Sequence, residues 1–170
     1  MQNLDIEQRE NKVLLDKAIR SILDGNALLL TGAGAAYGAK SESGKKIPMG
    51  TELARLLLDE CNESPSDDLR DAADTYAQKF GEDKLINRLK NLLNVSEIQE
   101  WHKTIYAQNW RGIYTTNYDR IPIIAANQAG TCLIPVTLDV DWRQYSDKNK
   151  CVYINGIIDN LNHNTLNSQF

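Results

Sequence analysis

Three short stretches carry residues suited to one piece of chemistry. "LLLTGAGAAYG", Leu28 to Gly38, sets Gly32, Ala33 and Gly34 directly after an apolar run. Backbone without bulky side chains at the mouth of a strand lets a pyrophosphate approach closely, and a following helix N-terminus adds partial positive charge. "TTNYDR", Thr115 to Arg120, and "YINGIIDN", Tyr153 to Asn160, each place an asparagine, Asn117 or Asn155, after another apolar run. An amide side chain donates and accepts hydrogen bonds but has no useful basicity near neutrality. Taken alone, Gly-Ala-Gly fits a tight turn without a ligand equally well. The third glycine of a G-x-G-x-x-G fingerprint would fall at Tyr37, Gly38 comes one residue late, and no G-K-[ST] follows.

The elements that must position these residues follow from periodicity. Ile6 to Leu23 has apolar residues at Val13, Leu14, Ala18, Ile19, Ile22 and Leu23, one helical face, and Gly25 closes it. Ala27 to Leu30 is a short apolar run expected to form a strand buried on both faces. Residues 39–48, "AKSESGKKIP", read as a mobile loop. Helical spacing resumes over Thr51 to Cys61, Leu69 to Phe80 and Lys84 to Leu93, the last two parted at Gly81. Ser96 and Gln99 form a capping-box pattern opening another helix toward Ala107. "GIYTT" is a second strand, and a helix from about Tyr118 to Ala129 tolerates Pro122 in its first turn. "TCLIPVT" and "CVYIN" are further strands, the former an edge or a bend because of Pro135. Strands alternating with helices predict an α/β fold: a Rossmann-like doubly wound, mainly parallel sheet with a helical insertion at about 51–110.

The bulk composition agrees with one globular unit over residues 1–170. Its 170 residues are 42% hydrophobic and 25% charged, enough for one ordinary core. A net charge of −4 and a pI near 5.2 supply no basic footprint for direct nucleic-acid binding. No apolar run approaches the roughly 20 residues that span a bilayer. The N-terminus lacks the apolar core of a secretory signal, so a cytoplasmic location is expected. Cys61, Cys132 and Cys151 form no C-x-x-C pair, so neither zinc ribbon nor disulfide framework is indicated, and no metal is expected. The polar "NLNHNTLNSQF" at the end lacks the closing strand and helix of a complete sheet. The expectation is the N-terminal part of a longer protein.

In order and spacing, "TGAGAAYGAKSESGKKIPMGTEL", "TTNYD" and "NG-x-x-D" resemble the motifs of the sirtuin-like family over about residues 27–160. That pattern is a T-G-A-G turn, an I-P pair after a loop, T-x-N-x-D, then an H-G pair. The chain is most similar to bacterial sirtuin-like domains of anti-phage defence, which lack the zinc module of the deacylases and carry a helical insert. They hydrolyse NAD+ to nicotinamide and ADP-ribose. The resemblance implies that Thr31, Gly32, Ala33 and Gly34 form the pyrophosphate turn, and that Ile47 and Pro48 border the nicotinamide end. It implies that Asn117 holds the ribose or positions water, Asp119 contacts the nicotinamide amide or braces the turn, and Asn155 and Gly156 occupy the H-G site. Asn117 equally reads as a cap for the helix beginning at Tyr118. The family position after the turn that is often serine is here Ala36. NAD+ is then substrate rather than resident cofactor. A homo-oligomer, with the first helix as contact, and a C-terminal or separate sensor protein are the expected partners.

The departure at Asn155 bears on catalysis. Family members use histidine there to accept a proton, and losing a general base costs about 10²- to 10⁴-fold. Three explanations stand side by side: a histidine replaced to trap NAD+, a natural non-catalytic NAD+ or ADP-ribose sensor, or substitution by His163. His102 reads as a surface or capping residue, and Trp101 and Trp110 as packing residues. Trp142 is a candidate adenine platform, while Arg120 and Arg143 fit either phosphate or surface carboxylates.

Overall fold

The computed structural model describes residues 2–145 and 149–161. Chain order is helix α1 (Gln2–Leu23), strand β1 (Leu28–Thr31), a single 3₁₀ turn (Ala33–Ala36) and short strand β2 (Lys40–Ser41). The insert continues with α2 (Gly50–Cys61), α3 (Leu69–Phe80), α4 (Glu82–Leu93), β3 (Val95–Glu97) and α5 (Glu100–Tyr106). Then come β4 (Gly112–Thr115), α6 (Ile121–Gln128), β5 (Ile134–Thr137), a 3₁₀ turn (Trp142–Tyr145), β6 (Lys150–Tyr153) and a last 3₁₀ turn (Ile158–Asn160).

Strands β1, β4, β6 and β5 form one parallel sheet in that order, which is the expected Rossmann-like α/β architecture. Pro135 lies on β5, an edge strand, where a missing N–H is tolerated. The registers pair Thr31 with Thr115, Thr115 with Tyr153 and Tyr153 with Thr137. The C-terminal ends of all four strands therefore stop level. Whatever follows them is brought to one rim.

The helices of the insert pack because their apolar stripes meet. Leu53, Ala54, Leu57, Leu58 and Cys61 of α2 are buried with Ala72, Ala73 and Tyr76 of α3 and Leu85, Ile86, Leu89 and Leu93 of α4. Local signals set the ends. Asp68 caps α3 by accepting from the N–H groups of Arg70 (2.9 Å) and Asp71 (3.2 Å). Asn62 closes α2 in the left-handed region at φ 56°. The Arg88–Glu60 pair and the Tyr76 hydroxyl on the same carboxylate (3.3 Å) join all three helices.

Several expectations are corrected. β1 is an edge strand rather than one covered on both sides: Leu28 and Leu30 are 60% and 68% exposed. Its residues alternate between two environments, a distinction that three consecutive leucines cannot signal. Residues 39–48 are not a plain loop but a tethered turn. Ser41 N–H donates to the Lys45 carbonyl (2.8 Å), β2 pairs antiparallel with β3, and Lys40 bridges Glu97 at 2.9 Å. Ser96 lies in β3, so the helix after it is opened by Gln99, not Ser96. α6 starts at Ile121 rather than Tyr118. The glycine turn leads into a four-residue 3₁₀ turn instead of a long helix, so the expected macrodipole contribution is missing there.

Candidate functional site

The rim above the level strand ends is bounded by the segments that leave β1, β4 and β6. A cleft of about 300 Å³ opens there. Ala33, Ile47 and Pro48 line one side, and Thr116, Asn117, Asp119 and Asn155 line another. The insert closes the remaining wall with Leu53, Leu69, Ala73, Leu89 and Leu93. A larger cavity, about 460 Å³, lies near Trp110, Arg111 and Lys150 at the other end of the strands. Ligands of open parallel sheets bind outside the carboxyl ends of strands, so the smaller cleft is the candidate site.

Local hydrogen bonds fix its polar wall. The Asn117 N–H donates to Thr115 Oγ1 (3.1 Å), and the Asn117 side-chain amide donates to Asp119 Oδ2 (3.1 Å). Asp119 Oδ1 accepts the Ile121 N–H at 2.9 Å. The N-cap position of α6 is Arg120, with no side-chain cap bond, and Asp119 just before it takes the N–H of the first helical residue, correcting the cap expected of Asn117. Asn155 donates its side-chain amide to the Thr116 carbonyl (3.1 Å), and Gly156 turns the chain at φ 84°. Both asparagines spend an N–H on the protein, so each amide carbonyl oxygen points along the other branch. Thr116, overlooked as a site residue, sits inside the same "TTNYD" run. The five apolar insert residues were also missed, because nothing local distinguishes a cleft wall from a core stripe.

Asp119 is 4% exposed. Burial pushes its carboxyl above the ordinary carboxylate range, while the Ile121 N–H and the Asn117 amide pull the other way. Tyr118 also lines the cleft, and burial raises its hydroxyl to about 12. Asp119 is the one carboxyl among the described lining residues.

The glycine turn supplies the opposite side. A Cβ at Gly32 would approach Thr116 Oγ1 at 3.4 Å, whereas one at Gly34 would meet no described atom within 4 Å. Neither glycine has positive φ. The fold itself does not demand a glycine at position 34. Thr31 points away, its hydroxyl donating to the Tyr114 carbonyl (3.4 Å) and accepting from Tyr106 (3.4 Å).

The other candidates separate cleanly. His102 is fully buried, which corrects its surface reading but bears out its capping role. Trp110 is half-buried with its indole N–H on the Ile105 carbonyl (2.8 Å), and Arg120 pairs with Asp159 at 3.4 Å. His163 and the side chains of Trp142 and Arg143 lie outside the described residues. Among the described residues no group of three metal-ligating side chains occurs, and no helix is long and apolar enough to cross a membrane. No protein-family model matches the chain, and no curated protein matches it significantly.

Proposed function

We propose that the cleft binds NAD+ and that the domain is a sirtuin-like NAD+ glycohydrolase. One observation carries the reading: Ala33, Ile47, Pro48, Asn117, Asp119 and Asn155, drawn from three distant motifs, line a single cleft at the strand ends. Such a cleft is at the small end for ligand sites. It suits the nicotinamide riboside portion, with the diphosphate passing over the open backbone at Gly34. The amide oxygens of Asn117 and Asn155 would accept hydrogen bonds from ribose hydroxyls or a water. The apolar insert wall would receive the nicotinamide ring.

The proposed reaction breaks the bond between ribose C1′ and the nicotinamide nitrogen. Its electron pair leaves with neutral nicotinamide, water adds to C1′, and one proton is released. Asn117 and Asn155 orient the sugar and the water but cannot take that proton. Asp119, buried and raised, is the acceptor nearest to hand, and it is already committed to Asn117 and Ile121. That commitment favours a second reading, a non-catalytic NAD+ or ADP-ribose sensor. An NAD-depleting role in anti-phage defence, in the cytoplasm, under control of a sensor domain or partner, belongs to the first reading. So does a homo-oligomer joined through α1, where Val13, Leu14, Leu15, Ile19 and Leu23 are exposed.

Calorimetry with NAD+ and a nicotinamide-release assay test the reading on wild type and Asn155→His. Micromolar binding by both and at least about a hundredfold faster release by the variant are expected. Binding without any gain favours the sensor. No binding by either protein ends both readings.

A further inference from the structure

The 3₁₀ turn at Ala33–Ala36 is too short to hold itself in one shape, since a single turn fixes several dihedrals for few hydrogen bonds. Its support comes from the start of α5. The Gln99 N–H donates to His102 Nδ1 at 2.9 Å. A backbone N–H can only donate, so Nδ1 is the unprotonated nitrogen and Nε2 carries the hydrogen. Nε2–H then donates to the Ala35 carbonyl at 2.9 Å, inside the glycine turn. Gln99 adds a second tether, its side-chain amide donating to the Gly38 carbonyl at 2.8 Å. Gly38 has φ +82°, and a Cβ there would press to 3.0 Å from Gln99 Cγ. Trp101 covers the imidazole, the two rings stacked with centroids 3.8 Å apart.

We infer that His102 and Gln99 are positioning residues for the dinucleotide: they clamp the glycine turn from behind in its ligand-ready shape. This rests on the NAD+ reading of the cleft. Neither residue lines that cleft, and both act through backbone carbonyls of the turn. A turn held before the ligand arrives spares the ordering cost that a loose one would take from affinity. Burial of the ring disfavours its charged form, which keeps the neutral tautomer that the clamp needs.

Two substitutions divide the ring's two roles. His102→Gln places an amide N–H near Nε2 and keeps the link to Ala35 while losing the acceptor for Gln99. His102→Asn keeps an acceptor near Nδ1 but is too short to reach Ala35. Both are expected to lower the melting temperature of the unliganded protein. NAD+ affinity by calorimetry separates them: His102→Asn is expected to lose about tenfold or more, and His102→Gln to stay within about threefold. Gln99→Ala, which leaves the backbone N–H to Nδ1, is expected to lose several-fold and serves should a histidine variant not fold. Amide exchange at Tyr37 to Ala39, faster in His102→Asn than in His102→Gln, reads the clamp without any ligand. Equal affinities across the variants, or losses that merely track melting temperature, overturn the clamp. If wild type takes no NAD+, the reading of the cleft falls instead, and the exchange data then report the tether alone.

Discussion

At the scale of single residues, Asp119 sets the most distinctive pH behaviour. Its folded-state pKa is raised, chiefly by burial, so the folded chain holds the proton more tightly than the unfolded one. Stability from this group is present at low pH and is lost as pH rises from about 4 through the folded value. Asp119→Asn keeps an oxygen for the Ile121 N–H but cannot ionise. Urea unfolding of both proteins from pH 4 to 7 should show wild type losing ground to the variant as pH rises. Parallel curves would show that the carboxyl is not held above its usual range. His102 contributes the opposite slope: burial lowers its pKa, so acidification below about 6.5 costs stability. It is common to both proteins and cancels. Sequence spacing marked Asn117 and Asp119 as a pair but could not assign their roles. Either residue type caps a helix, and a start of α6 three residues later leaves Asn117 off the cap while Asp119 takes the first helical N–H.

At the scale of elements, the turn after β1 distinguishes a fold requirement from a ligand requirement. Gly34 has an ordinary backbone conformation and open space around its Cβ position. Gly34→Ala should therefore leave the melting temperature unchanged or slightly higher, by up to about 1 kcal/mol of stability from a stiffer unfolded chain. NAD+ affinity should nonetheless fall about tenfold or more, because the methyl enters the path proposed for the diphosphate. A stability loss without an affinity loss would place the glycine in service of the fold instead. The insert helices α2 to α4 were legible to within two residues, because apolar periods and caps such as Asp68 are local. The β2–β3 pair was not. Two- and three-residue strands carry no periodic signal, and their pairing joins segments on either side of three helices.

At the scale of the whole molecule, the parallel sense of the sheet follows the alternation of strands and helices, and that much was legible. Pro135 also marked β5 for an edge, but the strand order and the place of β1 at the other edge were not legible, because they depend on the pairing partners rather than on β1 itself. One consequence is an outer apolar surface. Leu28 and Leu30 on β1 and Val13, Leu14, Leu15, Ile19 and Leu23 of α1 are exposed. Charged substitutions at Leu15 and Ile19, 60% and 45% exposed, should change stability by no more than about 0.5 kcal/mol in monomer. Sedimentation velocity on the same double variant reads the proposed oligomer: a shift to monomer supports α1 as its contact, and an unchanged distribution removes it.

The level pairing of Thr31 with Thr115 also governs how the chain reaches its native state. These neighbours are separated along the backbone by the entire insert, so joining them demands closure of a very long loop before any reward arrives. Helices α2, α3 and α4 are in contact mostly with near neighbours in the chain and can consolidate early, shortening that loop. The rim is therefore among the last features to assemble, and a compound that grips it draws the late-forming contacts of every strand toward the native basin at once.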